Sequence, residues 1–203
     1  MASKMEQSNE EIKDLDNKIS VDTVLFFDMD GTLIDTNFAN FLSYKKAILS
    51  VTKSDYNLTY NPEIRFNRSI LKDVVPKLDE IDYNKIILEK ETYYSDFIHE
   101  TKLNPAIFDI LIKYSKTNKT VLVTNCREDR AMTTLEHFGL VTHFSIIFCR
   151  EFGNKNQKIN KFQNAISKLR VPPSIVIAFE NEEVEIEDAK NAGIRKIIKI
   201  KTN

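Results

Sequence analysis

The chain has 203 residues, of which 42% are hydrophobic and 29% are charged, and its formal net charge is −1. These values are typical of a folded protein and argue against wholesale disorder or a dedicated nucleic-acid surface. No apolar run approaches the length of a membrane span, and the polar first twenty residues do not resemble a signal peptide, so we expect a cytoplasmic protein without a membrane partner. Glycine-rich phosphate loops need closely spaced glycines. Such loops are excluded because the four glycines of the chain are widely spaced: Gly31, Gly139, Gly153 and Gly193.

The first half of the chain predicts a leader, one strand and a long helical region. Residues 1–20 are polar and predict a mobile leader, with a helical stretch over Glu10–Ile19. The apolar run Val24–Asp28 predicts the first strand. Apolar residues then recur at helical spacing through most of 36–118, and a structureless loop of that length is rare in compact domains. We therefore expect 36–118 to form a separate helical domain. Its predicted helices cover Phe38–Leu49, Ile64–Val75, Tyr83–Ile98 and a segment opened by Pro105.

The second half predicts alternating strands and helices. Helical patterns separate its apolar runs, and Gly139 and Gly193 each follow a helix, as is typical of a left-handed helix end. The predicted fold class is therefore α/β, with a Rossmann-like parallel sheet core from 21–35 and 119–203 interrupted by the helical insert. The expected later strands are Thr120–Thr124, Ser145–Cys149, Ile175–Phe179 and Lys196–Ile200.

The motif Asp28-Met29-Asp30-Gly31-Thr32-Leu33 directly follows the first predicted strand. Ligands of open α/β sheets bind at the carboxyl ends of the strands, which is where Asp28 falls. One carboxylate can attack an electrophile while the second transfers a proton. A solvated acidic turn would explain the Asp-Gly pair, but it would not explain the apolar strand in front of it.

On these residues the chain resembles the haloacid dehalogenase-like superfamily, whose first motif has the form D-x-D-G-T-L. The resemblance implies a C1-type helical cap inserted after the first strand. It also implies phosphoryl transfer through an aspartyl-phosphate on Asp28, with Asp30 as general acid and base. Thr124, which ends a strand as the second motif requires, and Asn125 would contact the phosphoryl group.

The third family motif is a lysine before the fourth strand of the core, and three lysines crowd that region. Lys158 fits the pattern best, because Phe162 and Ile166 follow it on the same side of the predicted helix. Lys155 is the second choice and Lys161 the third candidate. The implied role is to offset the charge between Asp28 and a bound phosphate.

The fourth motif departs from the family. The resemblance implies an Mg²⁺ site made by Asp28, Asp30 and an acid at position 181, but that position holds Asn181. An amide oxygen can occupy the place of a carboxylate oxygen without its charge, which should weaken metal binding. Glu180, Glu182 or Glu185 could restore the missing charge, directly or through water.

The resemblance thus implies an Mg²⁺-dependent phosphatase of a small phosphorylated metabolite, acting as a monomer or homodimer. The candidate substrate-binding residues are Thr32, Asn125, Arg65 and Arg68. Two alternatives stay open. A phosphomutase of the β-phosphoglucomutase type shares every motif, and the replacement at Asn181 is compatible with a protein that binds a phosphorylated ligand without turnover.

Overall fold

The computed structural model describes residues 15–151 and 159–201. The chain divides into two compact units, with boundaries between Ile34 and Asp35 and between Lys102 and Leu103. We call the part between these boundaries the insert unit and the remainder the sheet unit. Each unit has its own buried hydrophobic core.

The strands are β1 (Val24–Phe27), β2 (Ile34–Asp35), β3 (Lys102–Leu103), β4 (Lys119–Val123), β5 (Ile146–Phe148), β6 (Val176–Glu180) and β7 (Lys196–Lys199). Five of them form a parallel sheet in the order β5-β4-β1-β6-β7. β2 and β3 pair separately where the chain passes between the units. The strand order reverses at β1 and β6, and ligands of open α/β sheets bind at the carboxyl edge beside such a reversal.

The helices are α1 (Leu15–Lys18), α2 (Asn37–Thr52), α3 (Arg68–Val74), α4 (Glu80–Tyr93), α5 (Pro105–Tyr114), α6 (Glu128–His137), α7 (Lys161–Leu169) and α8 (Glu183–Asn191). Short 3-10 helices cover Tyr94–Glu100, Val141–His143 and Pro173–Ile175. Within residues 15–151 and 159–201, no helix is both long and apolar enough to cross a bilayer.

The sheet is buried on both faces because its strand residues alternate between two hydrophobic clusters. Phe27 lies in the cluster that contains Leu111 of α5, and its ring stacks on that of Phe179 at 4.7 Å between centroids. Phe26 lies in the other cluster, with Phe162 of α7. Successive side chains of a strand point to opposite faces, so continuous apolar strands of this kind require helices on both sides. This packing holds the carboxyl end of β1 in place.

The insert unit is helical and packs around its own aromatic-rich core. Two of its helices are capped by the preceding residue: the Asn67 side chain accepts backbone N–H bonds at the start of α3, and Asp79 does so at the start of α4. Such caps satisfy donors that the helix itself leaves unpaired. The buried members of its cluster are Phe41, Tyr44, Ala47, Ile48, Phe66, Leu71, Val75 and Ile86.

The predicted α/β class with a Rossmann-like parallel sheet is confirmed. Each predicted strand lies within two residues of an observed one. Gly139 and Gly193 have left-handed φ values of +68° and +88°, as expected for helix ends. The predicted helix over Ile64–Val75 is shorter, because α3 begins only after the Asn67 cap.

Two predicted boundaries differ from the observed ones. Residues 103–118 were expected in the helical insert, but they belong to the sheet unit, where Ile107 and Leu111 are fully buried in its core. The pattern of an amphipathic helix does not reveal which core its apolar face covers. The leader was expected to extend to residue 20, but Leu15 is buried in the same core and Asp16 contacts Lys113 and Tyr114. Residues 1–14 lie outside the described part of the chain.

Candidate active site

Asp28 and Asp30 follow β1 at the carboxyl edge of the sheet. The backbone N–H of Asp28 donates to the Phe179 carbonyl oxygen of β6 at 3.1 Å, which extends the strand pairing by one residue. The chain then turns sharply, and Gly31 at the turn has a φ of +86°, a conformation that favours glycine. Both aspartates are buried. The motif therefore forms a sharp turn, as its sequence predicts.

The Lys161 ammonium group lies against Asp28. Its Nζ is 2.7 Å from Asp28 Oδ1, 2.8 Å from Glu180 Oε2 and 3.7 Å from Glu185 Oε2. Lys161 is the first residue of α7, and the Asn160 side chain caps this helix by accepting two backbone N–H bonds. Lys158 and Lys155, the first and second choices for this role, lie outside the described residues. Within the described residues, the lysine at Asp28 is the third candidate.

Burial and excess negative charge govern the ionisation of this cluster. Burial raises the pKa of Asp28 to about 7; Lys161 opposes this rise, whereas Glu180 reinforces it. Burial alone would lower the pKa of Lys161, but the charges of Asp28, Glu180 and Glu185 outweigh it and the pKa is raised. The lysine is therefore a cation, and the negative charge of Asp28 depends on it.

Thr124 and Asn125 follow β4, beside Asp28 in the sheet order. The Thr124 N–H donates to the Phe148 carbonyl oxygen at 2.9 Å, and its hydroxyl accepts the Cys126 N–H at 3.1 Å. Asn125 is half-buried, and its carbonyl oxygen accepts a bond of 2.6 Å from Arg150 Nε. The second predicted motif is therefore held by main-chain and side-chain bonds at the same edge.

Asn181 reaches the turn of the first motif. Its side-chain amide satisfies all its neighbours when the NH₂ group donates to Thr32 Oγ1 at 3.0 Å, to the Asp30 carbonyl oxygen at 3.3 Å and to Glu180 Oε1 at 3.1 Å. Thr32 is fully buried, so its hydroxyl supports Asn181 in this position. This differs from the expectation that Thr32 touches substrate. Position 181, where the fourth motif is expected, lies beside Asp30.

The oxygen atoms around Asn181 are of the type that Mg²⁺ binds. Within the described residues, no group of three or more His, Cys, Asp or Glu side chains is arranged to hold a metal. A half-turn of the Asn181 amide would place its oxygen beside the Asp30 carbonyl oxygen, and hard cations favour such oxygen sets. The residues thus fit Mg²⁺ in chemistry, with one negative charge fewer than an aspartate at 181 would supply.

Glu180 and Glu185, expected as additional metal ligands, both face Lys161. Glu180 ends β6, and its Oε1 also accepts the backbone N–H groups of Asn181 and Glu182 at 2.8 and 3.1 Å. Glu185 lies in the first turn of α8. Both are buried. Their contacts match the role of holding the lysine better than the predicted role of holding a metal.

Arg130 of α6 also lies in the site and is not among the residues predicted from the sequence. Its guanidinium donates to Asp30 Oδ2 at 2.6 Å and to Cys126 Sγ at 2.8 Å. The signal was available, since an arginine in the first turn of the helix after the second motif falls at the same edge. Arg65 and Arg68, the candidate substrate-binding arginines, belong to the insert unit, where Arg68 begins α3.

Known proteins with similar sequences are hydrolases named as phosphatases and pyrophosphatases. The family model described as "Haloacid dehalogenase-like hydrolase" matches residues 25–199. A phosphorylated carbohydrates phosphatase of Thermotoga maritima is 28% identical over 182 residues, covering 85% of this chain and 82% of the relative. The pyrophosphatase PpaX of Oceanobacillus iheyensis is 26% identical over 182 residues, covering 87% and 82%.

A solved structure shows the same fold. The haloacid dehalogenase-like family hydrolase from Streptococcus pneumoniae superimposes with a TM-score of 0.70 at 18% identity, covering 88% of this chain and 84% of that one. The family match spans nearly the whole sheet unit and the insert. The chain belongs to the haloacid dehalogenase-like hydrolase family, as its first motif predicts.

Proposed function

We propose that this chain is an Mg²⁺-dependent phosphatase that hydrolyses a small phosphorylated metabolite through an aspartyl-phosphate on Asp28. The observation that carries the proposal is the buried Asp28–Lys161 pair, with Asp30 two residues further on, at the carboxyl edge of the sheet. The relative named as a phosphatase of phosphorylated carbohydrates supports a small phosphorylated substrate.

In the first step an Asp28 carboxylate oxygen attacks phosphorus, and a P–O bond to Asp28 forms as the bond to the leaving oxygen breaks. Asp30 gives its proton to the leaving oxygen. In the second step Asp30 takes a proton from water, whose oxygen attacks phosphorus. Phosphate leaves, and the Asp28 carboxylate and the Asp30 proton are regenerated.

The surrounding residues prepare Asp28 and receive the phosphoryl group. Lys161 supplies positive charge beside Asp28, and Glu180 and Glu185 hold the lysine in place. The Thr124 hydroxyl accepts the Cys126 N–H, so its own proton can be donated to a phosphoryl oxygen. Preorganised groups of this kind act because they need no rearrangement when charge develops.

Mg²⁺ would be held by the carboxylate of Asp28, the carbonyl oxygen of Asp30 and the amide oxygen of Asn181. The metal, when bound, offsets the repulsion between the Asp28 carboxylate and the phosphoryl oxygens. Asn181 contributes an oxygen without a negative charge. For this reason a protein that binds a phosphorylated ligand without turnover is the second candidate function.

The test is hydrolysis of p-nitrophenyl phosphate, a panel of sugar phosphates and pyrophosphate, with Mg²⁺ or with a chelator. We expect metal-dependent release of phosphate that falls by at least about a thousandfold in Asp28→Asn, because removal of a covalent nucleophile costs this much or more. Asp109→Asn, the same change at an exposed residue of α5, is the matched control and should leave the rate unchanged.

Two other results would replace the proposal. Absence of turnover in the natural chain, with turnover gained in Asn181→Asp, would identify a ligand-binding protein. A requirement for a sugar bisphosphate activator, with little phosphate released, would identify a phosphomutase. Trapping the phosphorylated Asp28 by rapid quench and mass spectrometry tests the covalent step directly.

A further inference from the structure

Arg130 joins two parts of the candidate active site that are far apart in sequence. Its Nη2 lies 2.6 Å from Asp30 Oδ2, and its Nε lies 2.8 Å from Cys126 Sγ. The side chains of Arg130 and Asp30 are only 9% and 7% exposed. A charge-assisted bond of this length between buried groups restricts the torsions of both side chains.

The same guanidinium is tied to the second motif. Cys126, its other partner, donates its backbone N–H to the Thr124 hydroxyl at 3.1 Å. A continuous series of contacts thus runs from Thr124 through Cys126 and Arg130 to Asp30. The main chain of Arg130 lies in α6, where its carbonyl oxygen accepts the Thr134 hydroxyl at 2.7 Å.

We infer that Arg130 is a positioning residue that holds the Asp30 carboxylate in the orientation needed for proton transfer. The inference rests on the role of Asp30 in the proposed function. Asp30 immediately precedes the sharp turn at Gly31, and the short bond from Arg130 favours one staggered position of its carboxylate about the Cα–Cβ bond. Catalytic groups displaced by about 1 Å lose much of their effect.

Arg130 differs from Lys161 in what it contacts. Lys161 is bonded to the proposed nucleophile Asp28, whereas Arg130 is bonded to the proposed acid and base Asp30. The planar fork of an arginine can hold two partners at once in fixed directions, which a lysine ammonium group does less well. Loss of Arg130 should therefore slow turnover without weakening substrate binding.

The test compares Arg130→Met, Arg130→Lys, Asp30→Asn and the double variant Asp30→Asn/Arg130→Met on p-nitrophenyl phosphate. We expect Arg130→Met to lower kcat by about 10- to 100-fold with KM changed by less than about threefold, because a misplaced catalytic group costs about this much. Arg130→Lys should lose about 3- to 10-fold. Arg195→Met, the same type of change at an exposed residue, is the control.

The double variant separates positioning from general damage. If Arg130 acts through Asp30, adding Arg130→Met to Asp30→Asn should lower kcat by less than about twofold further. Losses that multiply fully in the double variant would overturn the inference. So would an unchanged kcat in Arg130→Met or, where that variant does not fold, in Arg130→Lys.

The measurement also distinguishes this inference from the proposed function. If Asp30→Asn alone leaves kcat unchanged, Asp30 is not the acid and base, and the proposed mechanism fails together with the inference. If Asp30→Asn lowers kcat and Arg130→Met does not, the mechanism stands and only the role of Arg130 is refuted. A crystal structure of Arg130→Met should show the Asp30 side chain in a different rotamer.

Discussion

Single residues at the carboxyl edge of the sheet show how the candidate site balances its charges. Three buried carboxylates, Asp28, Glu180 and Glu185, surround one ammonium group, that of Lys161. A buried charge without a partner is costly, so the lysine stabilises all three carboxylates, and Glu180 also accepts two backbone N–H bonds. Burial, reinforced by the charge of Glu180, raises the pKa of Asp28, and the excess negative charge of the cluster would also favour a divalent cation.

Replacing Asn181 by Asp should increase the affinity for Mg²⁺ by at least about tenfold, because a full negative charge is added beside a divalent cation. Without metal, the same variant should melt at a lower temperature than the natural chain. The added carboxylate would then face the Asp30 carbonyl oxygen and Glu180 with no N–H between them. Calorimetric Mg²⁺ titration and thermal melting provide the two measurements.

Asn84→Asp, the same change at an exposed residue of the insert unit, serves as control and should alter neither quantity. Equal Mg²⁺ affinity in Asn181→Asp and the natural chain would show that position 181 does not face the metal.

Cys149 should react slowly with iodoacetamide. Burial, followed by the charges of Glu128 and Asp129, raises the pKa of its thiol to about 11. At pH 8 the thiolate is therefore about a hundredfold rarer than for an ordinary thiol, and its greater nucleophilicity recovers only part of this. We expect labelling at least about tenfold slower than in the urea-unfolded chain, rising as the pH is raised towards 11.

The other cysteine, Cys126, is buried. Peptide mapping distinguishes labelling of Cys149 from labelling of Cys126. Labelling of Cys149 in the folded protein at the rate of the unfolded chain would contradict the prediction.

At the scale of elements, the short helix α1 is part of the core. Leu15 is 1% exposed and lies in the cluster formed by the sheet and α5. Leu15→Ala should lower the free energy of unfolding by about 2–4 kcal/mol, because it removes buried methyl groups and leaves a cavity. Val21→Ala, at a residue 80% exposed, should change it by less than about 0.5 kcal/mol. Urea denaturation measures both, and similar values for the two variants would refute the docking of α1.

The two glycines that end helices provide a matched pair. Both have a left-handed φ, but an added Cβ at Gly139 meets no atom within 4 Å, whereas at Gly193 it lies 3.2 Å from Pro173 Cγ. Gly139→Ala should destabilise the protein by about 1 kcal/mol through backbone strain alone. Gly193→Ala adds a steric contact to the same strain and should cost more. Chemical denaturation of both variants tests the order, and a smaller loss at Gly193 would contradict it.

At the scale of the whole molecule, the chain forms two units with separate cores. The described hydrophobic clusters of the sheet unit draw on residues of that unit, and the cluster of the insert unit lies within 38–93. The insert begins and ends in the paired strands β2 and β3. A linker of about four residues can therefore replace 36–101, because paired strands lie about 5 Å apart.

We expect this shortened chain to fold, because the described clusters of the sheet unit remain complete. A cooperative thermal transition by circular dichroism and dispersed amide signals by NMR would support the prediction. Loss of the cooperative transition, with binding of a hydrophobic dye, would show that the sheet unit requires the insert.

The sequence by itself determined the family, the strands and the sheet edge at which the candidate site lies. Apolar runs before Asp28 and Thr124 identify strands of a buried sheet, and parallel strands end at one edge, so these residues had to meet there. The turn at Gly31 is likewise local, since it depends on the φ of one residue. Local patterns of this kind need no knowledge of the rest of the chain.

Tertiary structure decided which side chains meet within that edge. Lys155, Lys158 and Lys161 are spaced by three residues in the sequence, and helical periodicity did not single out Lys161. The Asn160 cap sets the start of α7 and places Lys161 at Asp28. The pairing of Arg130 with Asp30 and the burial of α5 against the sheet join segments distant in sequence. Such contacts depend on how helices pack onto the sheet, which local sequence patterns do not specify.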